Sequence, residues 1–170
     1  MTATTKLDDR LESFLRDEAA LLNQGRYHDW LELLTEDFDY RMPQPCVRDD
    51  PRQSQFDEEA LLAWESWNSL RLRFERLASD FAWADRPPPL ERRHLTAVRH
   101  VASEAVTDGV EHTVDCDVLV ARSRRPDGTH LVSAGRVDTV LEHEDRLLLR
   151  RRRVYVDLDM PSVTQISMLF

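Results

Sequence analysis

Six histidines, two cysteines and four consecutive arginines give this chain its widest chemical range. The histidines are His28, His94, His100, His112, His130 and His143. None forms a pair at the spacing that lets one helix face grip zinc, and no Cys-x-x-Cys occurs. His112 and Asp115 look like a ligand pair on paper, but on a strand their side chains face opposite ways. Cys46 and Cys116 lie far apart, and neither sits in a Cys-x-His or Cys-x-x-His unit of the kind that holds an iron–sulfur cluster. Cys116 alternates with valines and reads as core. No Gly-x-Ser-x-Gly marks a nucleophile. Acid–base chemistry is the remaining class. An α+β fold that encloses a pocket needs only one well-placed carboxyl, phenol or imidazole to move a proton. The candidates are Asp37, Tyr40, His94 and Asp138, and each reads more readily as a satisfied hydrogen bond or a surface position.

The elements that must position these groups follow from periodicity. Leu7, Leu11, Phe14, Leu15, Glu18, Leu21 and Leu22 recur at helical spacing, with Thr5 as the expected cap and Gly25 as the stop. A short second helix, "RYHDWLELL", turns Tyr27, Trp30, Leu31 and Leu34 inward. "DFDYRMP" reads as a short strand ending at Pro43. A third helix is expected from about Asp57, on the stripe Ala60, Ala63, Trp64, Trp67, Leu70, Phe74 and Leu77. The period then changes to two. Strands are expected near 93–106, 110–123, 129–142 and 146–158. They are punctuated by Asp108-Gly109, Asp127-Gly128 and a polar turn at His143–Arg146. Helices first and a meander second give an α+β fold, with a curved antiparallel sheet wrapped over about three N-terminal helices. The outer sheet face is expected to mix polar residues with Leu119, Ala121, Val132, Ala134 and Val140, a composition that suits a subunit interface.

The arginine run, "LLLRRRRVYVDLD", falls on the last strand. Alternation sends Arg150 and Arg152 one way and Arg151 and Arg153 the other, unless a bulge intervenes, so the four cannot line one phosphate backbone. The overall charge agrees, because 32 acidic residues outweigh 23 basic ones for a net −9. That balance disfavours nucleic acid as a partner. The four glycines are too dispersed for a phosphate-cradling loop. No apolar run reaches the length of a bilayer span, and no secretory signal is visible, so a membrane partner is not expected. Two thiols and no leader suit a reducing cytoplasm. The 170 residues are expected to form a single domain, 1–170.

Three stretches, in order, resemble one family over nearly the whole chain. They are "FLRDEAALLNQGRYHDWLELLTEDFDYRMP", "RLASDFAWADRPPPLERRHL", and "GRVDTVL" with "RRRVYVDLD". The closing "SMLF" is similar to that family's hydrophobic, often Phe-terminated tail. The family is the small (beta) subunit of Rieske-type aromatic-ring-hydroxylating dioxygenases. Two departures stand out: Leu95-Thr96-Ala97-Val98 replaces a common Val-Ser-Asn, and Leu147 stands where a Trp is usual. The resemblance implies a nuclear-transport-factor-like cone and a non-catalytic assembly role. It implies no cofactor in this chain, and a partner large (alpha) subunit carrying a Rieske [2Fe-2S] cluster and a mononuclear iron. It also implies association of three large with three small subunits, the small ones as a trimer. Trp83, Arg93, His94, Asp138, Arg151, Arg153, Tyr155 and Phe170 become the expected interface or structural-network residues. Arg150–Arg153 are expected to bind neighbouring chains and internal acids, with Asp138 and Asp157 as internal partners. The competing reading is a free-standing dehydratase or isomerase of the same fold, using Asp37, Tyr40 or His94.

Overall fold

The computed structural model describes residues 3–50, 52–78, 88–125, 128–157 and 169–170; Trp83 and Asp127 lie outside them. Helix α1 spans Ala3–Asn23 and so begins ahead of Thr5, the expected cap. It ends as the glycine predicts. Gly25 takes φ +69, its N–H bonds to Leu22 O at 3.1 Å, and Arg26 N–H bonds to Leu21 O at 2.9 Å. These two bonds satisfy carbonyls the helix leaves open. A short α2, Tyr27–Leu31, follows. The chain then runs through β1 (Leu34–Pro45), β2 (Phe56–Ser66) and α3 (Trp67–Ala78), and on through β3 (Leu90–Val106), β4 (Gly109–Arg124), β5 (Gly128–His143) and β6 (Arg146–Val156).

The six strands form one curved sheet in the order β2-β1-β6-β5-β4-β3. All neighbours are antiparallel except β1 and β6, which run parallel. The long meander β3–β6 therefore matches the periodicity, while the first half holds more strand than expected. β1 does not stop at Pro43 but continues to Pro45 through register shifts on both sides of Pro43, where proline cannot donate to a ladder. The expected helix from Asp57 is a strand as far as Ser66. Over so short a run the apolar spacing fits either period, and pairing with β1 decides it. Trp64 consequently lies on the outer face, 67% exposed, rather than in a buried stripe. Its indole N–H donates to Asp39 Oδ1 at 2.9 Å.

The helices fill the inner side of the sheet. Leu11, Leu15 and Leu22 of α1 are buried against Val114, Val118, Val120, Val132, Ala134, Val140 and Val154 of the meander. Val132, Ala134 and Val140 therefore belong to the core and not to the outer face, because the inward set on β5 is the even-numbered one. Tyr27 stacks on Phe74 at 4.6 Å, and Trp30 meets Phe38 and Phe74 edge-on at 6.1 Å each. Truncating one of the buried α1 leucines to Ala costs about 2–5 kcal/mol.

Two turns fix the meander's register. Glu144 (φ 48) and Asp145 (φ 63) both take positive φ, which gives the β5–β6 hairpin the primed twist its strands require. At Gly109 (φ +152) a Cβ atom would fall 2.2 Å from the Glu142 main-chain oxygen, so only glycine fits.

Candidate functional site

The arginine run is split by a bulge. Thr139 of β5 faces Arg151, yet the next residue, Val140, faces Leu149, so Arg150 is the extra residue. Leu149 and Arg152 point into the core, while Arg150, Arg151 and Arg153 stay on the outer side with partly exposed side chains. Simple alternation would have paired Arg150 with Arg152; the bulge leaves Arg152 alone inside.

Arg152 lies at the centre of a buried ion network. It faces Asp138 across the strands and binds it with both arms, Nε to Oδ1 at 2.8 Å and Nη2 to Oδ2 at 3.1 Å. Nη1 donates to Glu18 Oε1 at 2.8 Å and to the Phe170 main-chain oxygen at 2.7 Å. Trp30 Nε1 donates to the same Glu18 oxygen at 2.6 Å. Arg136 completes the quartet, with Nε 3.0 Å from Asp138 Oδ2 and Nη1 3.8 Å from Glu18 Oε2. All four charged side chains are 0% exposed, two cations against two carboxylates. Burial raises the Glu18 pKa, but the fields of Arg152 and Arg136 outweigh it and leave the carboxyl below its ordinary range. Burial likewise works against the Arg152 charge, and Asp138 and Glu18 overcome it. Burial pushes the Tyr40 phenol up to about 12, against the opposing field of Arg152. Its hydroxyl approaches the Phe170 main chain without completing a hydrogen bond.

The last two residues close the same space. Leu169 and Phe170 are buried in the core cluster. Arg93, on the inner side of β3, donates from Nε to Leu169 O at 2.7 Å and from Nη2 to Glu91 Oε2 at 2.8 Å. Its main-chain N–H donates to Asn23 Oδ1 at 2.9 Å, tying β3 to the end of α1.

The outer face is arranged differently. Strand pairing lines up Trp64, Arg41, Arg153, Val137, Asp115 and Arg99 in one row across all six strands. Arg150 binds Asp37 at 2.9 Å, Asp108 at 2.7 Å and Glu111 at 3.1 Å. Arg151 also binds Glu111, and Arg153 binds Asp39 at 2.9 Å. Above Gly135, which has no side chain to fill it, lies an open depression of about 700 Å³. Asp115, Asp117, Val137, Tyr155 and Arg99 are among its lining residues.

The structure does not gather the acid–base candidates. Asp37 is on the outer side, held by Arg150. His94 is exposed, opposite in direction to its neighbour Arg93. Tyr40 and Asp138 are interior. Tyr155 lies half-buried against Phe56, ring centroids 5.0 Å apart. Asp157 accepts from Ser133 Oγ at 2.6 Å. One cluster escaped the sequence reading altogether. Asp8, His100, Ser103, His112 and Glu142 form a continuous chain of contacts at 2.9–3.1 Å, closed by Arg10 on Glu142 at 2.7 Å. It pins the start of α1 to β3, β4 and β5. Only the strand register brings His100 and His112 together, so spacing alone carried no signal.

The sequence profile described as Ring hydroxylating beta subunit matches residues 17–162. The chain belongs to this family. Among individual relatives, it is 29% identical to the 3-phenylpropionate/cinnamic acid dioxygenase subunit beta of Photorhabdus laumondii, covering 97% of this chain and 92% of that protein. It is 25% identical to the benzene 1,2-dioxygenase subunit beta of Pseudomonas putida, covering 97% and 89%. A solved structure of naphthalene 1,2-dioxygenase with indole bound superposes with a TM-score of 0.78 at 20% identity, covering 92% of this chain and 81% of that one; at that identity it speaks for the fold alone. The chain is thus a beta subunit of an aromatic-ring-hydroxylating dioxygenase with a cone-shaped α+β fold. The described residues of this beta subunit do not fit an iron–sulfur cluster or a mononuclear iron. No three His, Cys, Asp or Glu side chains among them converge as metal ligands, and Cys46 and Cys116 are separate free thiols. No described helix is long and apolar enough to cross a membrane.

Proposed function

We propose that this beta subunit is the non-catalytic, assembly-supporting part of a multicomponent Rieske non-haem iron dioxygenase that dihydroxylates an aromatic ring. Three copies would join three large (alpha) subunits in the cytoplasm, and the large subunits would carry the Rieske cluster and the mononuclear iron. The chain would also trimerise within that assembly. The observation that supports this most is the filled interior. Where a cone-fold enzyme needs a pocket with a free acid or base, this chain places four mutually neutralising charges and its own Leu169 and Phe170. A carboxylate already bound by a guanidinium is a poor proton acceptor. Tyr40 is buried while Asp37 and His94 are exposed, an arrangement that supports the assembly role over a dehydratase or isomerase.

Contact with the large subunit falls to the outer sheet face in this reading. That face combines exposed Leu119, Leu131 and Trp64 with the arginine-rich row, a mixture of apolar area and bidentate donors that suits an interface. Native mass spectrometry of the complex captured through a tag on this chain tests the proposal. Equal numbers of an iron-bearing large subunit, three with three, are expected. A metal-free homo-oligomer without a partner overturns it. Arg151→Ala with Arg153→Ala is expected to shift that mass toward free chains, and an unchanged mass removes those two residues from the interface.

A further inference from the structure

Two arginines hold two successive main-chain oxygens inside the cone. Arg93 Nε reaches Leu169 O and Arg152 Nη1 reaches Phe170 O, each at 2.7 Å. Both arginines are buried, as are both residues they hold, and the Phe170 ring sits in the cluster that contains Trp30 and Tyr40. This is how a protein binds a peptide ligand: fixed donors on consecutive carbonyls and an apolar pocket for the side chain. Here the bound peptide is part of the chain itself. The walls of the site are polar as well: the Tyr40 hydroxyl lies against the Phe170 main chain, and Arg136 is ion-paired with Asp138 and Glu18 beside it.

We infer that the interior of the cone is a peptide-binding site for a Leu-Phe-like pair, occupied in cis by Leu169–Phe170 and open to the same pair supplied from outside once that segment is removed. The ligand class is a short peptide with an aromatic side chain and two carbonyls one residue apart. Arg93 and Arg152 select the backbone, and the pocket around Phe170 selects the ring. The inference stands apart from the assembly proposal, since it concerns the interior and not the outer face.

The test is thermal unfolding of the chain shortened to residue 168, with N-acetyl-Leu-Phe-amide or N-acetyl-Gly-Gly-amide as probe. A saturable rise in melting temperature with the Leu-Phe probe alone is expected, about 5–10 °C at a hundredfold excess over its dissociation constant. No rise, or an equal rise with both probes, overturns the inference. If the shortened chain does not fold, Phe170→Ala in the full chain carries the test with benzene as probe. Saturable stabilisation relative to the unsubstituted chain supports a ring pocket, and its absence overturns it.

Discussion

Arg152 and Arg150 are two residues apart and lead opposite lives. Arg152 is sealed in the core with two carboxylates and a main-chain oxygen. Arg150 reaches three carboxylates on the outer side, two of them well exposed. Counted by partners the two look equivalent. Physically they are not, because water competes for the outer pairs and is absent from the inner ones. What the inner network contributes is mainly the penalty for breaking it: a carboxylate deprived of its guanidinium in the core has nowhere to turn.

The sharpest way to break the comparison is Arg152→Met. It leaves the negative charges of Glu18 and Asp138 balanced by Arg136 alone, and a loss of about 3–5 kcal/mol is expected by urea unfolding. A loss below about 1 kcal/mol would mean the interior is wetter than its burial indicates. Next in size is the acid limb. The Glu18 pKa is lowered from 4.5 in the folded chain, so its contribution is complete above that value and disappears as pH falls through the folded one. Unfolding midpoints measured from pH 7 to pH 2.5 are expected to hold until near 4.5 and then drop. The drop is expected to shrink in Glu18→Gln, whose own midpoint at pH 7 is lower. Arg150→Ala comes third, with a loss well below that of Arg152→Met, because water screens its outer pairs. Salt gives the smallest but cleanest contrast. Raising ionic strength to about 1 M shortens the screening length to about 3 Å, which is expected to erode the Arg150→Ala effect while leaving that of Arg152→Met unchanged.

Much of this contrast was written locally, and the decisive part was not. The α1 stripe, the Gly25 stop and the four-strand meander follow from periodicity and turn chemistry within a few residues of each other. Glu18 stood on the apolar stripe of the first helix and Asp138 was expected as an internal partner of the arginines, whereas nothing singled out Arg136, since the even-numbered side of its strand was expected to face outward. Which arginine of the run would join the buried network depended on the Arg150 bulge, and a bulge is set by pairing with β5, not by the run "RRRR" itself. The strand at Phe56–Ser66 was missed for the same kind of reason. Its residues fit a helical stripe, and only the neighbour β1 decides otherwise. The Asp8–His100–Ser103–His112–Glu142 chain crosses four elements and is invisible until they are in register.

The Glu18–Arg152 bond spans 134 positions, and this has a consequence for synthesis. The helix that carries Glu18 leaves the ribosome first, and the strand that carries Arg152 follows only after the rest of the sheet. At about 5–20 residues per second, Glu18 waits roughly 7–27 s for its partner. Until β4 and β5 emerge with the valines it packs on, the leucine stripe of the nascent helix has no sheet to cover it. The buried charge network therefore closes only with the last strand, and the emerging N-terminal half is the stretch a chaperone has most time to hold.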